Sequence, residues 1–198
     1  MLFVGLTGGI GSGKSEALAA CERLGAAVLS SDQVVHELLS TEELRELLAT
    51  RWGERVLGDG AVDRAAVAEI VFESPEELRW LEGVLFPRVG ARTAAWRQEQ
   101  EAAERGPDIA VVEVPLLFEA GIAEAFDATI AVVSDEETRR QRAEDRSHRG
   151  VGGRTSRQLT QEEKAARADY VVRNDGSLAD LEREVAGVLD ALREGVRR

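Results

Sequence analysis

The chain has 198 residues, 43% of them hydrophobic and 31% charged, with a formal net charge of −12. That is enough chain for one domain with inserted segments and an ordinary core, and the negative balance argues against a nucleic-acid or membrane-surface binder. No apolar run approaches the roughly 20 residues of a membrane-spanning helix, and the first residues enter a strand pattern without a basic-then-apolar leader, so a cytoplasmic location is expected.

In chain order, Leu2-Phe3-Val4-Gly5-Leu6 is a short apolar run suited to a buried strand. Gly8-Gly9-Ile10-Gly11-Ser12-Gly13-Lys14-Ser15 then fits the phosphate-binding spacing G-x-x-x-x-G-K-[ST] without a mismatch. With glycine usage near ~7%, chance would give this spacing in under roughly one chain in a hundred of this length. From Glu16 to Leu24, apolar Ala17, Leu18, Cys21 and Leu24 recur at helical spacing, completing the strand, loop, helix order. The loop from Gly9 through Gly11, Ser12, Gly13, Lys14 and Ser15 to Glu16 is the expected ATP site. Its amides converge at a helix N-terminus, where unpaired donors and the helix dipole favour a polyphosphate. Lys14 supplies a mobile charge for the terminal phosphates and Ser15 a hydroxyl for Mg²⁺. Only one other lysine, Lys164, occurs in an otherwise arginine-dominated chain, which singles out Lys14 for its compact ammonium. No G-x-G-x-x-G can be laid on these glycines, so a dinucleotide-binding turn is not indicated. Cys21 is the only cysteine and His36 and His148 the only histidines. No internal disulfide or Cys/His metal site is therefore possible, and a metal has to be held by oxygen and phosphate.

Ala26-Ala27-Val28-Leu29 reads as a second strand, with Asp32 just beyond its C-terminal end, at the edge where ligands bind in open α/β sheets. Asp32 is either a carboxylate facing the site or the N-cap of a helix beginning at Gln33. From Gln33 to Arg105 only helical patterns occur, broken near Pro87, which indicates a helical insertion. Trp52, Trp80 and Trp96 fall there, as core residues or as the lining of an apolar groove. Val62-Asp63-Arg64 opens one of these helices, and Arg64 is either a phosphate contact or a solvated arginine.

Ile109 to Val114 is a continuous apolar run with one acid, expected as a central parallel strand, and Pro115-Leu116-Leu117-Phe118-Glu119 follows at its edge. Ala128 to Val133 is another strand, closed by Ser134-Asp135. Arg139 to Arg157 holds seven arginines against Glu144 and Asp145, a local charge of about +5. Arg142 and Arg146 share a helix face, and glycine-rich Ser147 to Ser156 suits either a flap over an anion or a plain surface loop. Gln158 to Ala168 resumes as helix, Tyr170-Val171-Val172 is the last strand, and Arg173-Asn174-Asp175-Gly176 is a turn. Leu181, Val185, Val188, Leu189 and Leu192 form one stripe on a C-terminal helix. The expected fold is α/β, a three-layer phosphate-loop fold with a parallel sheet, a helical substrate-binding insertion and an arginine-rich lid. Its core is expected from 1–36 with 107–141 and 164–198, the insertion from 37–106 and the lid from 142–163.

The ordered set Leu6 to Ser15, then Asp32, Pro115-Leu116-Leu117-Phe118-Glu119, Glu162-Glu163-Lys164, Arg167-Ala168-Asp169-Tyr170-Val171-Val172, Asn174 and Gly176 resembles the dephospho-CoA kinase family along essentially the whole chain. The resemblance implies transfer of the ATP γ-phosphoryl group to the ribose 3′-hydroxyl of dephospho-CoA, the last step of coenzyme A synthesis. It implies Asp32 as acceptor of the hydroxyl proton and Lys14 and Arg142 on the ATP phosphates. It also places Asn174 and Gly176 by the adenine, and Thr7, Asp32, Arg64, Pro115, Leu116 and Leu117 on the acceptor side. Mg²⁺ with ATP is the implied cofactor, in a monomer or weak homo-oligomer that binds neither nucleic acid nor membrane. Two positions depart from the family: Ser30-Ser31-Asp32 replaces its usual Asp-Ala-Asp, and Phe86 stands before Pro87 where it usually has His. The alternative is another phosphate-loop small-molecule or nucleoside monophosphate kinase. A GTP-gated switch would need an Asn-Lys-x-Asp motif, and the single asparagine is followed by Asp175.

Overall fold

A computed structural model of the chain describes residues 1–136, 138 and 158–196. In chain order its elements are β1 (Leu2–Gly8), α1 (Lys14–Arg23), β2 (Ala27–Ser30), α2 (Ser31–Leu39), α3 (Glu42–Trp52), β3 (Leu57–Gly58), β4 (Ala61–Val62) and α4 (Arg64–Glu73). They continue with α5 (Pro75–Ala102), β5 (Ile109–Glu113), β6 (Ala128–Val133), α6 (Gln161–Arg167), β7 (Tyr170–Arg173) and α7 (Leu178–Val196). The chain forms two compact units, Met1–Ser30 with Trp96–Arg198, and Ser31–Ala95. The sequence pattern places the corresponding boundaries at 36/37 and 106/107.

In the first unit the strands form one five-stranded sheet in the order β2-β5-β1-β6-β7. Every neighbouring pair is parallel, with Val4 opposite Val111 on one side of β1 and Ala128 on the other. All strand C-termini therefore lie along one edge. The chain passes from β1 to β2 on one side and later to β6 on the other, so β1 is the switch point beside which ligands bind in such sheets. One face packs Val4, Leu6, Ile109, Val111, Ile130 and Val132 against α1 and α7, through Ala17, Cys21, Leu181, Val185 and Leu189. These are the helical stripes read from the sequence. The other face buries Phe3, Ala110 and Val112 with Trp96. The two covered faces explain why β5 and β6 are apolar without alternation. Burial pushes the Cys21 thiol up to about 12, which makes it a space-filling core residue.

The second unit is built on Leu44, Leu48, Trp52, Val56, Val67, Val71, Leu81 and Leu85. Two features differ from the sequence reading. The segment is not purely helical, because Leu57-Gly58 and Ala61-Val62 pair as a minimal hairpin. Asp59 and Gly60 connect them with φ of 49° and 79°, both left-handed, as a two-residue hairpin turn demands. Two-residue strands are too short to show alternation, so only the Asp-Gly pair could have disclosed them. Pro87 does not break the helix: α5 runs through it to Ala102. The ring removes the N–H that would serve the Gly83 carbonyl. One residue along, the Arg88 guanidinium donates to the Val84 carbonyl at 2.8 Å while also pairing with Glu43 on α3.

The tryptophans are core residues. Trp52 and Trp80 meet edge to face at 5.1 Å, whereas Trp96 packs with the first unit beside Phe3. Glu77 on α5 ties the pair together by accepting from the Trp52 indole at 2.8 Å and from two nitrogens of Arg51 at 2.9 and 3.0 Å. Arg51, and then Trp52, hold the Glu77 carboxyl below the usual carboxylate range. A folded-state value below the unfolded one contributes stability above the unfolded value, lost as pH falls through the folded one. Glu77→Gln is therefore expected to lower Tm at pH 7, with the difference from wild type closing on acidification below the ~4.3 of an unperturbed glutamate. Thermal unfolding from pH 7 to pH 3 checks this, and a difference independent of pH contradicts it.

Candidate functional site

β1 ends at Gly8 and α1 begins at Lys14, and the five residues between them form the phosphate loop. Gly8 has no room for a side chain, since a Cβ there would lie 2.5 Å from the Val132 carbonyl oxygen and 2.6 Å from the Ser12 hydroxyl. Gly11 and Gly13 adopt φ of 76° and 89°, which only glycine takes readily. Gly13 is the N-cap of α1, and no side chain caps the helix there. The helix start that faces the loop is thereby left for an anion. Lys14 donates to the carbonyls of Gly8 and Gly9 at 3.1 and 2.9 Å, which holds its ammonium at the mouth of the loop. Ser15 is exposed in the first turn, and Glu16 behind it pairs with Arg23 at 3.4 Å. The Ser12 hydroxyl is buried without a hydrogen-bond partner among the described residues.

The loop is braced from behind. Asn174, just past β7, is buried and donates its amide to the Ser12 carbonyl at 2.9 Å, while its own backbone N–H donates to Val133 at 2.8 Å. Asn174 thus connects the ends of β6 and β7 to the phosphate loop. Gly176 is a glycine for a different reason: a Cβ would meet the Asp180 carboxylate at 2.7 Å. That carboxylate accepts from the Ser177 amide and hydroxyl at the start of α7, and these bonds lower its pKa. Asp175 accepts from the Asp135 amide at 2.6 Å, closing the same edge.

A second polar cluster sits beside β1. Lys164 on α6 is fully buried, and its ammonium donates to the Pro115 carbonyl at 2.6 Å, to Glu119 at 2.8 Å and to the Thr7 hydroxyl at 3.4 Å. Thr7 in turn donates to the Pro115 carbonyl at 3.3 Å. Glu119 also accepts from the Leu159 amide at 2.9 Å. Burial pushes the Glu119 carboxyl up, but the hydrogen bonds from Lys164 and the backbone outweigh it and hold the group below the usual carboxylate range. Sequence reasoning did not assign a role to this pair. The available signal was Lys164 itself, the one lysine besides Lys14 in a chain that otherwise uses arginine.

The other residues expected at the site fall as follows. Asp32 is the second residue of α2, which begins at Ser31, so it lies inside the first turn and is not the cap. Arg64 opens α4 after Asp63, whose carboxylate caps the Ala65 and Ala66 amides, and its guanidinium lies 3.2 Å from His36 Nδ1. Leu117 is fully buried, 3.2 Å from where a Cβ on Gly5 would stand, while Pro115 and Leu116 are half-buried. Arg142 and the whole arginine-rich segment, 139–157, lie outside the described residues. Among the described residues, no group of three or more His, Cys, Asp or Glu side chains could hold a metal ion, and no helix is long and apolar enough to cross a membrane.

A family model for dephospho-CoA kinase matches residues 2–180. The dephospho-CoA kinase of Protochlamydia amoebophila is 34% identical over 194 residues, covering 96% of each chain. Among solved structures, TT1252 from Thermus thermophilus is 36% identical with a TM-score of 0.77, covering 96% of this chain and 97% of its own. The dephospho-CoA kinase from Campylobacter jejuni is 27% identical with a TM-score of 0.69, covering 98% of both chains.

The brace behind the loop is open to a direct test. Asn174→Ala leaves the Ser12 carbonyl without its buried donor, a loss of roughly 1–3 kcal/mol. Steady-state kinetics and ATP titration should show affinity for ATP weakened by roughly 5- to 100-fold. Unchanged affinity would mean that the loop holds its shape without the brace.

Proposed function

Because the chain belongs to the dephospho-CoA kinase family and so phosphorylates dephospho-CoA with ATP in coenzyme A synthesis, we propose how its residues divide that work. The observation that carries the proposal is the phosphate loop, an uncapped helix start with Lys14 poised on its own loop carbonyls. The loop amides from Gly9 to Glu16 bind the ATP phosphates. Lys14 leaves the Gly8 and Gly9 carbonyls for the terminal phosphates, and Arg142 adds a second cation there. Together they neutralise charge that spreads over the equatorial oxygens in the transition state. Ser15, exposed in the first turn beside Lys14, suits a Mg²⁺ carried by the nucleotide, and that ion supplies further charge neutralisation on the phosphates. Asn174 and Gly176 lie by the adenine, at the turn that also steadies the loop.

On the acceptor side, Thr7, Pro115, Leu116, Leu117 and Arg64 hold dephospho-CoA, and Ser31–Ala95 is the CoA-side unit. Asp32 follows β2, whose C-terminus lies on the same sheet edge as the loop. Its carboxylate orients the ribose 3′-hydroxyl and takes the proton as the oxygen–phosphorus bond forms and ADP leaves with the bridging oxygen. In a loose transition state that proton departs late. The protein acts as a monomer or weak homo-oligomer in the cytoplasm, with ATP and dephospho-CoA as its partners and no nucleic acid.

Two variants test this division. Lys14→Met should leave less than about a tenth of wild-type kcat, because positioning and charge neutralisation carry nearly all of the catalysis. Asp32→Asn keeps the side-chain size but cannot take the proton, so kcat should fall by ~10²–10⁴, equivalent to roughly 3–5 kcal/mol of barrier. ATP affinity and Tm should stay near wild type. Near-normal turnover in Asp32→Asn would remove the base from the mechanism.

A further inference from the structure

The Lys164–Glu119 pair has no part in the chemistry proposed above, yet it sits where that chemistry is arranged. A buried ion pair is a poor stabiliser, because desolvation of both charges consumes most of the attraction and an apolar pair of the same shape usually does as well. An ammonium with no exposed surface is therefore an uneconomical way to fill a core, and Lys164 is the largest fully buried side chain among the described residues. Its contacts are specific. They join α6 to the residue that precedes the phosphate loop, Thr7, and to both ends of the turn that leaves β5, Pro115 and Glu119. Thr7 donates to the same Pro115 carbonyl and is itself held by that ammonium.

The phosphate loop does not depend on this cluster for its shape. It has its own brace in Asn174, its own internal bond from the Ser12 amide to Gly9, and the Lys14 contacts to Gly8 and Gly9. The Pro115–Glu119 turn is different. Leu117 is anchored in the core and backbone bonds from Ala120 to Leu116, Gly121 to Phe118 and Ile122 to Leu117 close the turn on itself, while the ammonium of Lys164 ties its two ends, the Pro115 carbonyl and the Glu119 carboxylate, to α6 and to Thr7. We propose that Lys164, locked by Glu119, is a positioning residue that sets the Pro115–Glu119 turn against Thr7 and so shapes the acceptor side of the site, while Asn174 independently shapes the nucleotide side. The inference rests on the acceptor-side assignment of Thr7 and Pro115 made above.

The double variant Lys164→Met with Glu119→Gln removes both charges together and keeps the volume, so no lone charge is left buried. Its KM for dephospho-CoA should rise by roughly tenfold or more, the loss expected when a substrate-positioning contact shifts by about an ångström. ATP affinity, measured by direct titration, should stay within about twofold, the reverse of the Asn174→Ala pattern. A role in folding alone would lower Tm and weaken both substrates together, and that result overturns the proposal, as does a folded double variant with wild-type constants. If the double variant does not fold, Thr7→Val decides, since it removes only the hydroxyl from a strand that favours valine. A raised KM for dephospho-CoA in Thr7→Val, restored by Thr7→Ser, supports the proposal, and wild-type constants in Thr7→Val overturn it. Wild-type turnover of dephospho-CoA in the same assay tests the functional reading separately.

Discussion

A polyphosphate is bound by backbone amides only if the backbone can close around it, and everything in the first unit follows from the point where β1 makes that possible. At Gly8 the chain turns so tightly against β6 that a methyl group would overlap the Val132 carbonyl and the Ser12 hydroxyl. β6 cannot yield, because it is buried along its whole length and hydrogen-bonded on both sides. Rigid strands behind the loop thus fix its starting point, left-handed glycines carry the backbone around, and α1 presents an uncapped start to the space inside. A flexible glycine-rich loop on its own would lose its conformational freedom on binding and weaken affinity by that cost. Here much of that cost is met in folding.

The buried polar groups along this edge share a logic. Asn174, Lys164 and Glu119 are buried or nearly so at the C-terminal edge of a sheet whose two faces are apolar. Buried polar groups are costly unless hydrogen-bonded; Asn174 and Lys164 bond backbone carbonyls at the loop and just past β5, and Glu119 accepts from the Leu159 amide ahead of α6. The edge is consequently a set of strand ends tied to one another by side chains. Ser134 with Gln161 extends the same pattern past the end of β6, and Thr129 with Asp169 makes a comparable tie at the opposite ends of β6 and β7. The hydrophobic layers hold the unit together, and the polar ties set where the strand ends stand relative to the phosphate loop.

Much of this was legible in the sequence because it depends on local pattern. The loop spacing, the strands 128–133 and 109–113, and the stripe on α7 all come from periodicities within a dozen residues. The hairpin at Leu57–Val62 escaped because two-residue strands carry no alternation, and the passage of α5 through Pro87 because the helix is packed on either side of the proline, by Leu81 and Leu85 before it and Trp96 after it, and so withstands one lost bond. Asn174 was legible as a site residue through family resemblance, but its bond to Ser12 spans 162 positions, and the bond from Lys164 to Pro115 spans 49. No local pattern encodes such contacts. Their one trace in composition is the choice of lysine over arginine at position 164, where a compact ammonium fits a cage of three oxygens that a planar guanidinium would not.

The phosphate loop serves transfer to a sugar hydroxyl and not simple nucleotide binding or hydrolysis. The most direct measurement follows the label from γ-labelled ATP in the presence of Mg²⁺ and dephospho-CoA, with shikimate and AMP as alternative acceptors and a reaction without acceptor alongside. The label should appear on the ribose 3′-oxygen, giving coenzyme A in amounts equal to the ADP released, with little ADP formed otherwise. Label transferred preferentially to shikimate or AMP, or ADP release that does not depend on dephospho-CoA, would contradict it.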